Sequence, residues 1–276
     1  MTTLAIDLDG TLLHPDNYIS EANRQALLAL PAETNIVICS ARPLQPILSL
    51  LDDAGLRTVI RAVGAFNGAV IYDYRTHSVL SKTTLCPVVL SRLQPVLHAD
   101  LNSASCGWHA FTTDALLCLP GERSEHTTHE AALFNLPVNT VTADELFSRT
   151  DILKITLCGD AEELALQVQT LRPELPSALR TFFTDQHYFE LVPLSVSKGA
   201  AVHELTEKGI IPPGTVIAIG DQENDLSLFE AADIRVAMGN AVPALKQHAD
   251  FITGTCRDNG VAAALRHFIS AFRNGG

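Results

Sequence analysis

The sequence predicts an α/β protein in which a doubly wound parallel-sheet core is built from both ends of the chain and interrupted by an inserted α+β domain. Two contrasts along the chain carry this expectation. The first and last eighty or so residues alternate continuously apolar runs with helical patterns, as buried parallel strands joined by helices do. The middle instead sets strand-like runs beside one another with short polar links, the pattern of an antiparallel sheet with helices on one face. The expected boundaries are 1–82 and 194–276 for the core and 83–193 for the insertion.

Each element follows from local pattern. LAIDL reads as a strand, SEANRQALLAL as a helix with Ser20 as N-cap, and TNIVICS as a second strand. Pro43 suits the first turn of the helix PLQPILSLLDDAG, and Gly55 is placed to end it. TVIRAVGAF and AVIYDY flank an Asn-Gly. In the insertion, PVVLSRLQPVLHAD is helical, GWHAFTT and DALLCLP pair as strands, and HEAALFNL is a short helix. ILKITLCG, EELALQVQTL, LRTFFT and HYFELVP then give strand, helix, strand, strand. The chain closes with the helix SKGAAVHELTEKG, the strand TVIAIG, the helix DLSLFEAAD and the strand RVAMG.

Composition narrows the function classes. The 276 residues are 47% hydrophobic and 18% charged, as in a folded globular protein. No apolar run reaches the length of a membrane span, and the N-terminus reads as a strand rather than a signal peptide. The six cysteines are scattered without metal-like spacing, which fits buried thiols in a reducing cytoplasm. A formal net charge of −12 argues against a nucleic-acid partner. It also requires that any anionic ligand meet a local positive charge.

The acids have a pattern. In IDLDGT, Asp7 and Asp9 stand at a strand exit and, in an extended strand, share one face. Gly10 permits the turn and Thr11 offers a hydroxyl. A second acidic group, Asp221 to Asp225 in GDQEND, closes the strand TVIAIG. Open parallel sheets bind ligands beyond the carboxyl ends of their strands. Carboxylates gathered there resist joint ionisation without a cation, and hard oxygen donors suit Mg²⁺. Ser40, at the end of NIVIC before a helix, and Lys198, at another helix start, supply a hydroxyl and a positive charge for an anion.

DLDGT, the Ser40 strand end, Lys198 and GDQEND resemble, in order and setting, the motifs of the haloacid dehalogenase superfamily. The insertion is similar to the large α+β cap of its Cof-type phosphatases, set on a Rossmann-like core. Asn67-Gly68-Ala69 and Met238-Gly239-Asn240-Ala241 resemble further pieces of that pattern. The resemblance implies an Mg²⁺-dependent phosphoric monoester hydrolase in the cytoplasm, acting on a small phosphorylated metabolite such as a sugar phosphate or pyridoxal phosphate. Asp7 is then the nucleophile and Asp9 the general acid and base. Ser40 and Lys198 bind the transferring phosphoryl group. Asp7, the backbone carbonyl of Asp9, Asp221 and Asp225 hold the metal, with Asn224 in support. Thr11, Arg42, Asn67 and Asn224 fall on the substrate side, with loop anchoring as the other reading of Arg42. The cap is expected to close over the core and choose the substrate. A dehalogenase needs no proton donor, so Asp9 favours an ester or anhydride leaving group.

One departure stands out: relatives usually have Thr-Gly-Arg where this chain has Ser40-Ala41-Arg42. Serine keeps the hydroxyl, but alanine resists positive φ. Lys154 reads as a solvated edge-strand lysine, with a substrate-facing position as the alternative. His126 and His129 read as a wet surface, and Trp108 and Phe111 as packing. A phosphomutase of the same fold and a non-catalytic phospholigand sensor are the rival readings, and oligomeric state is open.

Overall fold

The computed structural model describes residues 1–100 and 106–268. Two compact units form, one from Met1–Lys82 with the chain from Ser197 onward and one from Thr83–Val196. Among the described residues, no helix is long and apolar enough to cross a membrane. All six cysteines are free; five are buried and Cys86 is exposed.

The first unit is built on an eight-stranded sheet. In spatial order its strands are Phe251–Ile252, Ile234–Ala237, Thr215–Gly220, Thr2–Asp7, Asn35–Cys39, Ile60–Ala65, Val70–Asp73 and Ser78–Lys82. The strands from Phe251–Ile252 through Ile60–Ala65 run parallel. The last two are antiparallel, which the sequence pattern does not anticipate. The reason is local: Phe66 and Asn67 take positive φ before Gly68, so the chain reverses without a crossover helix. Thr2–Asp7 is buried along its whole length, with Leu4 and Ile6 fully enclosed, each worth about 1.5–3 kcal/mol of apolar burial.

Chain order reverses about this central strand. Thr2–Asp7 pairs with Asn35–Cys39 on one side and Thr215–Gly220 on the other, all three parallel. Their carboxyl ends therefore open on one edge, where the helices that follow diverge. Ser20 caps the helix Glu21–Leu28, its Oγ accepting from Asn23 N at 3.2 Å. Pro43 precedes the helix Leu44–Asp53 as its cap instead of lying in its first turn. Ser197 caps Lys198–Glu207, its Oγ accepting from Ala200 N at 3.1 Å.

The second unit has a six-stranded sheet in the order Val138–Thr140, Leu116–Cys118, Cys106–Phe111, Lys154–Gly159, Tyr188–Pro193, Leu179–Asp185. It is antiparallel apart from the pairing of Val138–Thr140 with Leu116–Cys118. One face, carrying Trp108, Ala110, Ile155, Leu157, Phe189 and Leu191, packs against apolar residues of the helices Pro87–Asp100, Ala143–Phe147 and Ala161–Leu171.

The expectation of helices on one face fails here. Glu125–Phe134 lies on the opposite face, against Cys106–Phe111 and Lys154–Gly159. His109 Nδ1 and Thr127 Oγ1 are 3.1 Å apart, and the rings of Phe111 and Phe134 are 6.2 Å apart. Period-two alternation explains it: His109 and Phe111 point away from the face that carries Trp108 and Ala110. Lys154 is also corrected. It lies on a central strand, fully buried and paired with Glu190 on the neighbouring strand, so it is not a solvated edge residue.

Candidate active site

The site of the first unit forms where the three central strands end. Asp7 is the last residue of Thr2–Asp7 and is buried. Lys198, at the first position of its helix, reaches across with Nζ 2.6 Å from Asp7 Oδ1 and 2.6 Å from Asp225 Oδ1. Asp221 follows the strand Thr215–Gly220. Ligand oxygens of Asp7, Asp221 and Asp225 lie within 4.8 Å of one another, and they make up the metal-compatible group among the described residues. His126 and His129 take no part in such a group. His126 stacks on His187 at 5.5 Å, beside a surface hollow of the second unit.

Three buried acids share one lysine, and their protonation responds. Burial above all, with the charges of Asp225 and Asp9, pushes the Asp7 carboxyl up to about 7, while Lys198 works the other way. Burial and the charges of Asp7 and Asp225 likewise lift Asp221 well above the carboxylate range. Burial opposes the Lys198 ammonium, but Asp225 and Asp7 outweigh it and raise it above an ordinary lysine. A group so short of positive charge favours a divalent cation.

The oxygens separate by task. Both oxygens of Asp225 are engaged: Oδ1 by Lys198, and Oδ2 by the backbone N–H of Asp221 at 2.9 Å and of Gln222 at 3.0 Å. Asp225 therefore braces the loop from behind. Gly220 leaves it room, because a Cβ there would stand 2.6 Å from the Asp225 carboxyl carbon. Asp7 Oδ2, by contrast, is buried with no hydrogen-bond partner. An orphaned carboxylate oxygen of this kind is the sign of an open coordination or reaction position.

Thr11 does not face outward. It is fully buried and donates its hydroxyl to Asp221 Oδ1 at 3.1 Å, so it orients a carboxylate. Gly10 makes that approach possible. Its φ is +74°, and a Cβ would stand 2.3 Å from Asp221 Oδ2.

Asp7 and Asp9 do not share the face of one strand, as the alternation suggests. The strand stops at Asp7 and the chain winds through Leu8–Leu12, with Asp9 extended and Gly10 left-handed. Asp7 turns inward to Lys198. The Asp9 carboxylate is half exposed and lies on Arg42, a contact of the loop-anchoring kind. Ser40 is buried, with Oγ accepting from Arg42 N at 3.1 Å. Ala41 is outside the positive-φ residues, so alanine sits there without the strain the sequence suggests.

Asn67 and Asn224 are both buried and are joined by Asn224 Nδ2 donating to Asn67 Oδ1 at 2.9 Å. Asn67 has a φ of 57° and its N–H donates to Ser40 O at 2.8 Å, which ties the Asn-Gly turn to the serine. Asn224 Oδ1 has no partner.

Sequence reasoning noted Asn240 within the Met238-Gly239-Asn240-Ala241 resemblance but gave it no role in the site. Its Nδ2 donates to Gly10 O at 2.8 Å and to Asp221 Oδ2 at 3.2 Å, and its Oδ1 accepts from Cys256 N at 2.9 Å. It thus links the two acidic strand ends. Its signal was its position, a polar side chain just past the strand Ile234–Ala237 that neighbours Thr215–Gly220.

The chain is similar to known hydrolases and phosphatases. A family model for haloacid dehalogenase-like hydrolases matches residues 4–265. YxeH of Bacillus subtilis, provisionally named a phosphatase, is 30% identical, with 97% of this chain and 98% of its own covered. The 5-amino-6-(5-phospho-D-ribitylamino)uracil phosphatase YwtE of the same organism is 29% identical, with 98% and 99% covered. A solved haloacid dehalogenase-like hydrolase from B. subtilis superimposes with a TM-score of 0.79 at 26% identity, covering 97% of this chain and 99% of that one.

Proposed function

The chain belongs to the haloacid dehalogenase-like hydrolases and is a phosphatase, and from that premise we propose that it hydrolyses small phosphomonoesters through an aspartyl-phosphate on Asp7, with Mg²⁺. The observation that carries this reading is Asp7 itself. One oxygen is clamped by Lys198 and the other is buried without a partner, at the end of the central strand.

In the first step Asp7 Oδ2 bonds to phosphorus as the bond to the leaving oxygen breaks, and Asp9 gives that oxygen its proton. In the second, a water oxygen bonds to phosphorus and its proton goes to Asp9 as the Asp7–phosphorus bond breaks. Ser40 and Lys198 hold the phosphoryl oxygens, where fixed donors in a dry site contribute most. Asp7 and Asp221, with the backbone carbonyl of Asp9 and with Asp225 behind, are the residues that would hold Mg²⁺, and the clustered acids fit such an ion. Bound there, the ion supplies charge neutralisation for carboxylates and phosphoryl group alike. Asn67 and Asn224 form a fixed polar pair beside the phosphoryl position.

A phosphorylated sugar or polyol is the substrate class we favour, since YwtE by its name acts on a ribityl phosphate. Phosphate release from a panel of sugar phosphates, the phosphoribitylaminouracil and pyridoxal phosphate tests it. Activity should require Mg²⁺ and vanish in Asp7→Asn. Activity that survives this change would sink the nucleophile assignment, and an isomeric phosphate ester in place of free phosphate would replace hydrolysis with a mutase.

A further inference from the structure

We propose that Arg42, backed by Asn17, is a positioning residue that holds the proton-transferring carboxylate of Asp9; this rests on the phosphatase reading above. Asp9 lies beyond the strand and its side chain is 50% exposed. Packing therefore does little to select its rotamer. Arg42 does so instead, with Nε 2.9 Å from Oδ1 and 2.8 Å from Oδ2 and with Nη2 2.5 Å from Oδ1. A planar guanidinium that engages both oxygens fixes the plane of the carboxylate as well as its position.

The arginine is itself held on several sides. It is 5% exposed, and its Nη2 also donates to Asn17 Oδ1 at 2.7 Å. Its backbone N–H donates to Ser40 Oγ at 3.1 Å, and its carbonyl accepts from Phe66 N at 2.9 Å. Asn17 has a φ of 63°, a conformation asparagine tolerates better than most residues. It sits in the tight reversal between Leu13–His14 and Tyr18–Ile19, closed by Asn17 N donating to His14 O at 2.8 Å. The short hairpin after the nucleophile thus brings an acceptor to the back of the guanidinium.

Proton transfer requires Asp9 within about 2.6–3.2 Å of the leaving oxygen. A half-exposed carboxylate without Arg42 would spread over rotamers, and the loss would fall on the step that moves the proton. In the first step that proton matters for alkyl esters, whose leaving oxygens need it, and hardly at all for dinitrophenyl phosphate, whereas the second step uses Asp9 whatever the ester.

The test is a leaving-group series from dinitrophenyl and phenyl to alkyl phosphates. It is measured at saturating Mg²⁺ on wild type, Asp9→Asn, Arg42→Ala, Arg42→Lys and Asn17→Ala, with circular dichroism of each. For Arg42→Ala, kcat/KM, which reports only the steps through departure of the leaving group, should fall about 10- to 100-fold on the alkyl ester and less than about threefold on dinitrophenyl phosphate. Arg42→Lys, which keeps the charge but not the fork, should resemble Arg42→Ala. Asn17→Ala should show the same slope with a smaller loss.

Equal losses of kcat/KM across the series overturn the clamp. Should Arg42→Ala fail to fold, Asn17→Ala decides, and a flat series there overturns it too. A wild type inactive on every ester overturns the phosphatase reading and the clamp with it, whereas an active wild type with flat variants overturns the clamp alone.

Discussion

At the scale of the residue, the acids of the site matter less as charges than by what each oxygen touches. Asp225 spends both oxygens on Lys198 and two backbone N–H groups, whereas Asp7 keeps Oδ2 unpartnered. Asn240 belongs with them because it holds Asp221 and the Gly10 carbonyl together. Partners behind a metal ligand typically account for 10- to 100-fold in metal affinity or activity. Asn240→Ala should therefore raise the Mg²⁺ concentration for half-maximal rate by about 10-fold or more while the protein stays folded, which a Mg²⁺ titration of the rate checks. Asp7, Asp9 and Asp221 were legible in the sequence because they stand where apolar runs stop, and Asp225 and Lys198 because they stand where the next helix begins. Arg42 on Asp9 was not, since a pairing across 33 positions leaves no local pattern.

At the scale of the element, the helix Glu125–Phe134 is pinned to the sheet of the inserted unit by charge. His109 Nε2 lies 2.8 Å from Glu130 Oε2, both buried, as an ion pair. Burial opposes the imidazolium, yet Cys158 and the Glu130 carboxylate raise His109 from an ordinary 6.5 to about 9. Burial also works against the Glu130 charge, and His109 and Lys154 outweigh it and hold that carboxyl below its usual range. A raised histidine stabilises fully below its unfolded pKa, and that stability is lost as pH climbs through the folded one. A lowered carboxylate behaves oppositely and loses its contribution in acid. Thermal melts should therefore show the inserted unit losing stability between about pH 6.5 and about 9. His109→Gln should flatten that slope, and an unchanged slope would remove the pair as its cause. Alternation in GWHAF reveals that His109 points away from Trp108, but not that a helix covers it, because the helix arrives from later in the chain.

At the scale of the whole molecule, the two units report separately. Trp108 is the single tryptophan of the chain and is buried in the inserted unit against Phe147 at 5.9 Å. The clustered carboxylates lie in the other unit. A cation that binds only the folded state stabilises it by mass action, about 2.7 kcal/mol at a hundred times its dissociation constant. Adding Mg²⁺ should raise the unfolding transition of the core, read by calorimetry, and chelation should lower it. The transition read from Trp108 fluorescence should stay where it was. A shift seen by Trp108 alone would contradict the placement of the ion.

The sequence by itself determined the alternation of strands and helices, the change of style between core and insertion, and the acids at strand ends. Each of these is a local property, set by apolar periodicity and by where an apolar run stops. The tertiary structure decided what the acids touch. It brought Thr11 to Asp221 across 210 positions and Lys198 to Asp7 across 191, and it turned Asp9 outward onto Arg42. It also made a central, buried strand residue of Lys154. The physical reason is common to all: the partner of a buried charge is chosen by sheet order and helix placement, and neither is written within the few residues on either side.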